Sequence, residues 1–140
     1  MRIVLDTSVL VAAARSRRGA SFALVSSIPS PDFEICLSVA LYTEWQAVLT
    51  RPENLPPGLD DGAARGFLRY LAGQAHLQEI HFLWRPFLRD PDDDMVLELA
   101  VGAGCRYIVT HNVRDFAKAA QLGVTPVTPG AFLDLLRVKP

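Results

Sequence analysis

Short apolar runs that alternate with helical segments constrain the fold of this chain more than any other feature. Residues 2–5 read RIVL, 33–37 read FEICL and 107–110 read YIVT. Runs of this length are typical of strands buried in a parallel sheet, whose consecutive strands need a long crossover between them. Because strands and helices alternate, we predict a three-layer α/β/α fold with a central parallel sheet of four to five strands.

Loop-forming residues and apolar periodicity divide the rest of the chain into elements. Proline and glycine mark loops, and apolar spacings of three and four residues predict helices. Two further strands are predicted at 77–83 and 124–127. Helices are predicted at 9–14, 21–28, 39–50, 63–75, from 90–94 to 102–104, at 115–122 and at 129–136.

The composition predicts one domain, residues 1–140, with a true hydrophobic core. The chain has 140 residues and is 50% hydrophobic, which suits a single domain. No apolar run approaches the roughly 18 to 20 residues needed to cross a bilayer, and we recognise no secretion signal. The two cysteines lack zinc spacing and are expected to be reduced thiols, so we predict a cytoplasmic protein.

Arginine usage says more about partners than the total charge does. The formal net charge is −1, and the chain has twelve arginines but two lysines. Arginine binds phosphate and carboxylate groups through a planar fork of donors that lysine lacks. This usage favours nucleic acid or an acidic protein as a partner. Arg15, Arg17 and Arg18 form one basic cluster, which is either a solvated turn or a contact for RNA phosphates.

Acidic side chains are concentrated in residues 90–94, which read DPDDD and precede an apolar helix. Carboxylates in the first turn of a helix suit the positive end of its dipole, and a single one needs no further explanation. Four carboxylates exceed what a helix cap uses. Their mutual repulsion must be relieved by protonation, by solvent or by a cation, so this stretch is a candidate cation site.

Three more acids are predicted to lie at the same edge of the sheet. Asp6 follows the first strand, Glu44 lies on the helix after the second, and Asp115 follows the 107–110 strand. Ligands of open parallel sheets bind beyond the carboxyl ends of the strands, so we predict that these acids converge with 90–94. Each also has a simpler interpretation: Asp6 and Asp115 as helix caps, and Glu44 as a solvated helix residue.

The ordered set of motifs resembles the PIN-domain ribonucleases over nearly the whole chain. The matching pieces are VLDTSVLV at the start, Glu44, DPDDDMVLELAVGAG, YIVTHNVRDF and the tail GVTPVTPGAFLDLL. A strand that ends in aspartate is common, whereas this ordered set is specific. The chain is most similar to the branch that contains toxin components of prokaryotic toxin–antitoxin pairs, relatives of the VapC-type toxins.

The resemblance implies a PIN-like fold and an endoribonuclease in which four acids surround one or two Mg²⁺ or Mn²⁺ ions. Asp6 matches the first acid of the family and Glu44 the second. The third acid matches Asp93, with Asp94 or Asp92 as the alternatives. Oxygen ligands of this kind suit hard divalent cations.

The fourth acid departs from the family pattern. Many members have aspartate where this chain has Asn112, so either Asp115 takes that role or Asn112 is a neutral ligand. The hydroxyls near the acids are expected to position carboxylates or phosphates. The predicted roles are catalysis for Asp6, Glu44, Asp93 and Asp115, metal binding for Asp6, Asp93, Asp94 and Asp115, and substrate binding for Thr7, Ser8, Thr110, Asn112 and Arg15.

The resemblance also implies the partners. RNA is the expected substrate, a cognate antitoxin protein is expected to cover the acidic groove, and a homodimer is expected. In-line attack by water is expected to leave 5′-phosphate and 3′-hydroxyl ends.

Two other functions stay open at this point. Receiver and haloacid-dehalogenase-like folds, which act on small phosphorylated molecules, also place an aspartate after the first strand. They usually add a lysine near it, and the lysines here are Lys118 and Lys139, neither of which follows a central strand. A degenerate domain that binds RNA or protein without catalysis is the second alternative, because Asn112 stands where many relatives have an acid.

Overall fold

Strands and helices alternate along the chain in a computed structural model that describes residues 1–80 and 87–137. The strands are β1 (Arg2–Leu5), β2 (Glu34–Leu37), β3 (His76–Leu77), β4 (Tyr107–Val109) and β5 (Thr125–Val127). The α-helices are α1 (Thr7–Arg15), α2 (Ala20–Ser26), α3 (Val39–Leu49), α4 (Asp61–Gln74), α5 (Pro91–Gly102) and α6 (Pro129–Arg137). Two 3₁₀ helices span Pro52–Asn54 and Val113–Leu122.

The central strand of the sheet is β1. The strand order is β3-β2-β1-β4-β5, and all neighbouring strands are parallel. The chain leaves β1 toward β2 on one side and later returns to β4 on the other. Such a reversal opens a crevice at the carboxyl ends of the two adjacent strands, where Asp6 and Thr110 lie. The predicted α/β fold, with a central parallel sheet of five strands in the described residues, is confirmed.

The core is built from the inner strands and the helices that cover them. Ile3, Val4 and Leu5 of β1 are completely buried, which fits a strand covered on both faces. Trp45 on α3 is also completely buried and is therefore a packing residue. Within residues 1–80 and 87–137, no helix is both long enough and apolar enough to cross a membrane.

Two predicted elements differ from the structure. The strand predicted at 77–83 is correct at Leu77, the last residue of β3, and wrong for 78–80, which form no strand; 81–83 lie outside the described residues. Leu77 is exposed on β3 at the edge of the sheet, so its apolar side chain does not indicate a buried strand. The helix predicted at 115–122 is a 3₁₀ helix that begins at Val113.

The spacing of the buried residues in that segment is compatible with its 3₁₀ form. Phe116 and Ala119 are three residues apart and both are buried, and a 3₁₀ helix places residues at this spacing on one side. Gly123 ends the helix with a φ of 80°, a conformation that glycine adopts without strain.

Aromatic packing holds the last helix, α6, against the sheet. The ring of Phe132 lies 5.4 Å from that of Phe33 and 5.8 Å from that of Tyr107, both in edge-to-face geometry.

This packing can be tested by substitution. We predict that Phe132→Ala lowers the free energy of unfolding by about 3–5 kcal/mol, because it removes a completely buried ring. Leu135→Ala on the same helix is the control and should cost less than about 1 kcal/mol, since Leu135 is 40% exposed. Urea denaturation of both variants measures the difference, and equal costs would contradict this packing.

Candidate acidic metal site

Asp6 is fixed by two hydroxyl groups at the centre of the crevice. Its backbone N–H donates to the Val109 carbonyl at 2.9 Å, which extends the β1–β4 ladder. Ser8 Oγ and Thr110 Oγ1 both donate to Asp6 Oδ2, each at 2.7 Å. Asp6 occupies the N-cap position of α1, yet its side chain makes no capping hydrogen bond. In the described part of the chain no hydrogen bond reaches Oδ1, so this oxygen is available to a cation.

The chain after β4 completes this hydrogen-bond network. Thr110 is completely buried, and its Oγ1 accepts the backbone N–H of Asn112 at 2.9 Å. Ser8 Oγ accepts the backbone N–H of His111 at 3.1 Å, and the His111 ring nitrogen Nε2 lies 2.7 Å from Ser21 Oγ. The network therefore holds the carboxyl ends of β1 and β4 together around the Asp6 carboxylate.

Glu44 reaches the same crevice from α3. It is half-buried, and its Oε2 accepts a hydrogen bond from Thr7 Oγ1, one residue after Asp6. Burial raises the pKa of Glu44, and the negative charges of Asp92, Asp6 and Asp90 raise it further, while the Thr7 hydrogen bond lowers it. The solvated-helix interpretation of Glu44 is therefore wrong in this structure, because the side chain is engaged with the acidic crevice.

Two carboxylates of residues 90–94 are engaged with the backbone. Asp90 caps α5 by accepting the Asp92 N–H at 2.9 Å. Asp94 is only 2% exposed and accepts the N–H groups of Leu88 at 2.7 Å and Phe87 at 3.3 Å. These bonds give Asp90 and Asp94 a structural explanation. The prediction of Asp94 as a metal ligand stays a prediction.

Asp93 is a partly buried carboxylate that lies near several other acids. Its pKa is raised to about 7 by burial first, and then by the charges of other acids. No side chain or backbone donor of residues 1–80 and 87–137 makes a hydrogen bond to its carboxylate. The acids whose charges raise this pKa are, in order, Asp90, Asp6, Asp115 and Glu44. The four predicted catalytic acids therefore lie within electrostatic reach of one another.

The remaining predicted residues lie at different distances from this cluster. Asp115 is exposed on the 3₁₀ helix, and Asn112 is exposed at the N-cap of that helix without a side-chain capping bond. Arg15 lies at the other end of α1, about 12 Å along the helix from Thr7. Its guanidinium donates to Asn54 Oδ1 at 2.9 Å. The structure thus brings Asn112 and Asp115 to the crevice but does not bring Arg15 there.

A groove beside the acids contains residues that the sequence analysis did not single out. It has a volume of about 590 Å³ and adjoins Asp115. Its other lining residues are Phe87, Leu88, Arg89, Arg114, Ala117 and Lys118. In the sequence, the available signal was that Arg89 directly precedes Asp90 and Arg114 directly precedes Asp115. A separate apolar pocket of about 210 Å³ lies beside Leu10, Leu49 and Leu68 and includes none of these acids.

The donor set suits a hard divalent cation. The described residues contain no group of three His, Cys, Asp or Glu side chains that is already arranged to hold a metal ion. The available donors are carboxylate oxygens, which Mg²⁺ and Mn²⁺ prefer. Asp6 Oδ1 and the Asp93 carboxylate accept no hydrogen bond from described residues, and burial followed by the charges of neighbouring acids raises the pKa of Asp93. The residues therefore fit such a cation chemically.

Comparison with known proteins assigns the chain to a family. A family model of the PIN domain matches residues 2–114. The chain belongs to the PIN-domain family. A search of curated proteins gave no significant match.

Solved structures share the fold at low sequence identity. A chain of VapBC-1 from nontypeable Haemophilus influenzae is 14% identical with a TM-score of 0.63, and the match covers 93% of this chain and 99% of that one. A chain of VapBC2 from Rickettsia felis, bound to a DNA fragment from its promoter, is 13% identical with a TM-score of 0.63, covering 90% and 98%. At this identity the likeness establishes the fold alone.

The charge repulsion at Asp93 generates a prediction about stability and pH. Its pKa rises from 3.8 to about 7 on folding, so the folded state holds the proton more tightly and loses stability as pH rises through this interval. With a chelator present, Asp93→Asn should therefore melt at a higher temperature than the unmodified protein near pH 8. The difference should shrink at about pH 5, where Asp93 is mostly protonated when folded. Thermal unfolding at both pH values measures the effect.

An exposed acid provides the control for that measurement. Asp134 lies on α6 with 76% of its side chain exposed, so Asp134→Asn should change the melting temperature little and equally at both pH values. A variant at Asp93 that melts below the unmodified protein near pH 8 would show that its carboxylate is stabilised rather than repelled.

The hydrogen bonds of Asp94 generate a second prediction. Asp94→Ala leaves the buried N–H of Leu88 without its acceptor, and we expect a loss of about 2–4 kcal/mol in the free energy of unfolding. Asp92→Ala, an exposed neighbour on the same turn, should change it by less than about 0.5 kcal/mol. Chemical denaturation compares the two. Unchanged stability of Asp94→Ala together with lost metal binding would instead support Asp94 as a ligand.

Proposed function

We propose that the protein is a Mg²⁺- or Mn²⁺-dependent endoribonuclease that hydrolyses RNA phosphodiester bonds. The observation that carries this proposal is the electrostatic coupling of Asp93 with Asp6, Glu44 and Asp115 at the carboxyl edge of the sheet. Membership of the PIN-domain family supports the assignment. The lack of a lysine in this hydrogen-bond network argues against the small-molecule phosphoryl-transfer alternative.

Asp6 and Asp93 would hold the cation, with Asp115 as the third acid. A Mg²⁺ or Mn²⁺ ion held by these residues would supply a water ligand of lowered pKa and positive charge toward the phosphate oxygens. Asp6 presents Oδ1 to the cation because Ser8 and Thr110 occupy Oδ2. These hydroxyls restrict the carboxylate to one orientation, which reduces the entropy lost on binding.

Glu44 orients the attacking water and takes its proton. Its pKa is raised by burial, which makes the carboxylate a better base toward neutral pH. The Thr7 hydrogen bond engages Oε2, which leaves Oε1 for the water. The water oxygen bonds to phosphorus, the bond from phosphorus to the 3′ oxygen breaks, and that oxygen takes a proton from solvent. The products carry 5′-phosphate and 3′-hydroxyl ends.

Asn112 contacts the substrate in place of an acid. Its amide is exposed at the N-cap of the 3₁₀ helix and makes no capping bond there, so its N–H₂ group is available to donate to a phosphate oxygen. The amide adds no negative charge, which keeps one source of repulsion away from RNA. Thr7, Ser8 and Thr110 act through the carboxylates that they hold.

The biological role that we propose is that of the toxin in a toxin–antitoxin pair. The shared fold with chains of VapBC-1 and VapBC2 supports this role. The partner is then a cognate antitoxin whose binding covers the acidic crevice and prevents entry of RNA. The homodimer remains a prediction that size-exclusion chromatography with light scattering can test.

Cleavage of RNA by the purified protein tests the proposed activity. Structured and single-stranded RNAs should be cut with Mg²⁺ or Mn²⁺ and should stay intact with a chelator. Asp6→Asn and Asp93→Asn should each reduce the rate by at least about 100-fold, because each removes a direct ligand. Gel electrophoresis with end-group analysis measures both the rate and the product ends.

A matched control variant shows whether a loss of cutting comes from the substituted ligand or from a general effect of removing a carboxylate. Asp134→Asn changes an exposed acid on α6 and should cut like the unmodified protein. Cutting that survives both ligand substitutions, or products with 2′,3′-cyclic phosphate, would overturn the proposed chemistry. No cutting and no stabilisation by Mg²⁺ or Mn²⁺ would favour the non-catalytic binding domain, for which Asn112 is the supporting observation.

A further inference from the structure

We infer that the basic groove, defined as the surface formed by Phe87, Leu88, Arg89, Arg114 and Lys118 beside Asp115, binds the backbone of single-stranded RNA and leads it to the acids. This inference rests on the proposed function. It adds the residues that hold the substrate and the form of the RNA that they accept.

The groove gathers cations from two separate parts of the chain. Arg89 comes from the loop before α5, and Arg114 and Lys118 come from the 3₁₀ helix after β4. All three side chains are exposed. Within the described ranges, none of them forms an ion pair with a carboxylate. Their charges are therefore available to an anionic ligand.

Several other arginines are already engaged with protein groups. Arg2 pairs with Glu34 at 3.4 Å, and Arg15 donates to Asn54. Arg65 and Arg137 pair with acids on their own helices. The unpaired cations of the basic groove thus differ from Arg2, Arg65 and Arg137, whose positive charges are partly neutralised by carboxylates.

The helix type explains why the groove meets the acid site. In a 3₁₀ helix, residues three apart lie on the same side, so Asp115 and Lys118 project into one groove. Both line it in the structure. Helix α5, which carries Asp93, packs against this 3₁₀ helix. The basic groove therefore borders the acidic crevice at Asp115.

The acids create a need for such a groove. A cluster that includes Asp6, Glu44, Asp93 and Asp115 repels the phosphates on which it acts. A bound divalent cation offsets part of this repulsion at one phosphate, but the neighbouring phosphates need other positive charges. Contacts from lysine and arginine supply most of the sequence-independent affinity for nucleic acid. Arg89, Arg114 and Lys118 are placed to supply it here.

The apolar wall of the groove favours RNA over an acidic protein segment. The Phe87 ring is half-buried and lines the groove together with Leu88. Aromatic side chains that lie beside cations bind unpaired bases by stacking, whereas duplexes keep their bases paired. A uniformly acidic peptide such as poly-glutamate has no ring that could stack on this wall.

Binding and cleavage measurements with charge-neutralised variants test the inference. The probe is a fluorescent single-stranded RNA of about ten nucleotides, measured by anisotropy on the Asp93→Asn background, which blocks cutting. The combined variant Arg89→Ala, Arg114→Ala and Lys118→Ala should weaken binding at least about tenfold and reduce the slope of log affinity against log salt by about 2, at about 0.7 for each lost phosphate contact. On the active background it should raise KM more than it lowers kcat.

The control removes arginines that are already paired. Arg65→Ala combined with Arg137→Ala takes two charges from α4 and α6 and should leave affinity, salt slope and KM unchanged. Melting temperatures of both combined variants should stay within about 2 °C of the parent, because exposed charges contribute little to stability.

The outcomes distinguish this inference from the proposed function. The unmodified protein could cut RNA while the groove variant keeps the same salt slope and KM. That result would contradict RNA binding by the basic groove but would support the proposed nuclease activity. No cutting of any RNA by the unmodified protein would overturn the proposed function, and the inference with it. Competition by poly-glutamate as strong as that by single-stranded RNA, lost in the same variant, would assign the groove to an acidic protein instead.

Discussion

The hydrogen bonds from Ser8 and Thr110 to a single oxygen of Asp6 are the interaction on which the site depends. They join the ends of β1 and β4 at the point where the strand order reverses. A buried carboxylate needs such donors, because a charge without partners is costly to bury. The same two bonds leave the other oxygen of Asp6 without a hydrogen bond from the described residues. The stability of the strand ends and the orientation of the proposed ligand thus have one physical cause.

The acids at the start of α5 differ in their surroundings: Asp90 and Asp94 accept hydrogen bonds that stabilise the fold, whereas Asp93 lies near the other acids of the crevice. Asp90 caps the helix, and Asp94 holds the backbone of Phe87 and Leu88, so both carboxylates have donors close by. Asp93 has no such donors among the described residues, and burial, followed by the charges of neighbouring acids, raises its pKa to about 7. A partly buried carboxylate among like charges is characteristic of functional sites.

Sequence reasoning predicted what depends on the strand order and missed what depends on local geometry. Apolar runs predicted the parallel sheet, and parallel strands bring their carboxyl ends together, so the approach of Asp6 and Asp115 followed. The family resemblance matched the third acid to Asp93 but left Asp94 and Asp92 as alternatives, because the sequence does not show which carboxylate accepts the backbone N–H of Leu88. The basic groove was missed because its cations come from two separate segments, the loop before α5 and the 3₁₀ helix after β4.

Although the net charge is only −1, a negative surface, the acidic crevice, lies beside a positive one, the basic groove. This arrangement couples binding of the two proposed ligands, the divalent cation and RNA. A cation among the acids reduces the repulsion felt by an RNA phosphate, and a phosphate held by the basic groove brings further oxygen ligands toward the cation. Each ligand therefore favours binding of the other, and such coupling is reciprocal by thermodynamic necessity. An isolated acidic crevice would bind cations and repel RNA, whereas an isolated basic groove would bind RNA without cutting it. The 3₁₀ helix from Val113 to Leu122 joins the two because it carries Asp115 together with Arg114 and Lys118.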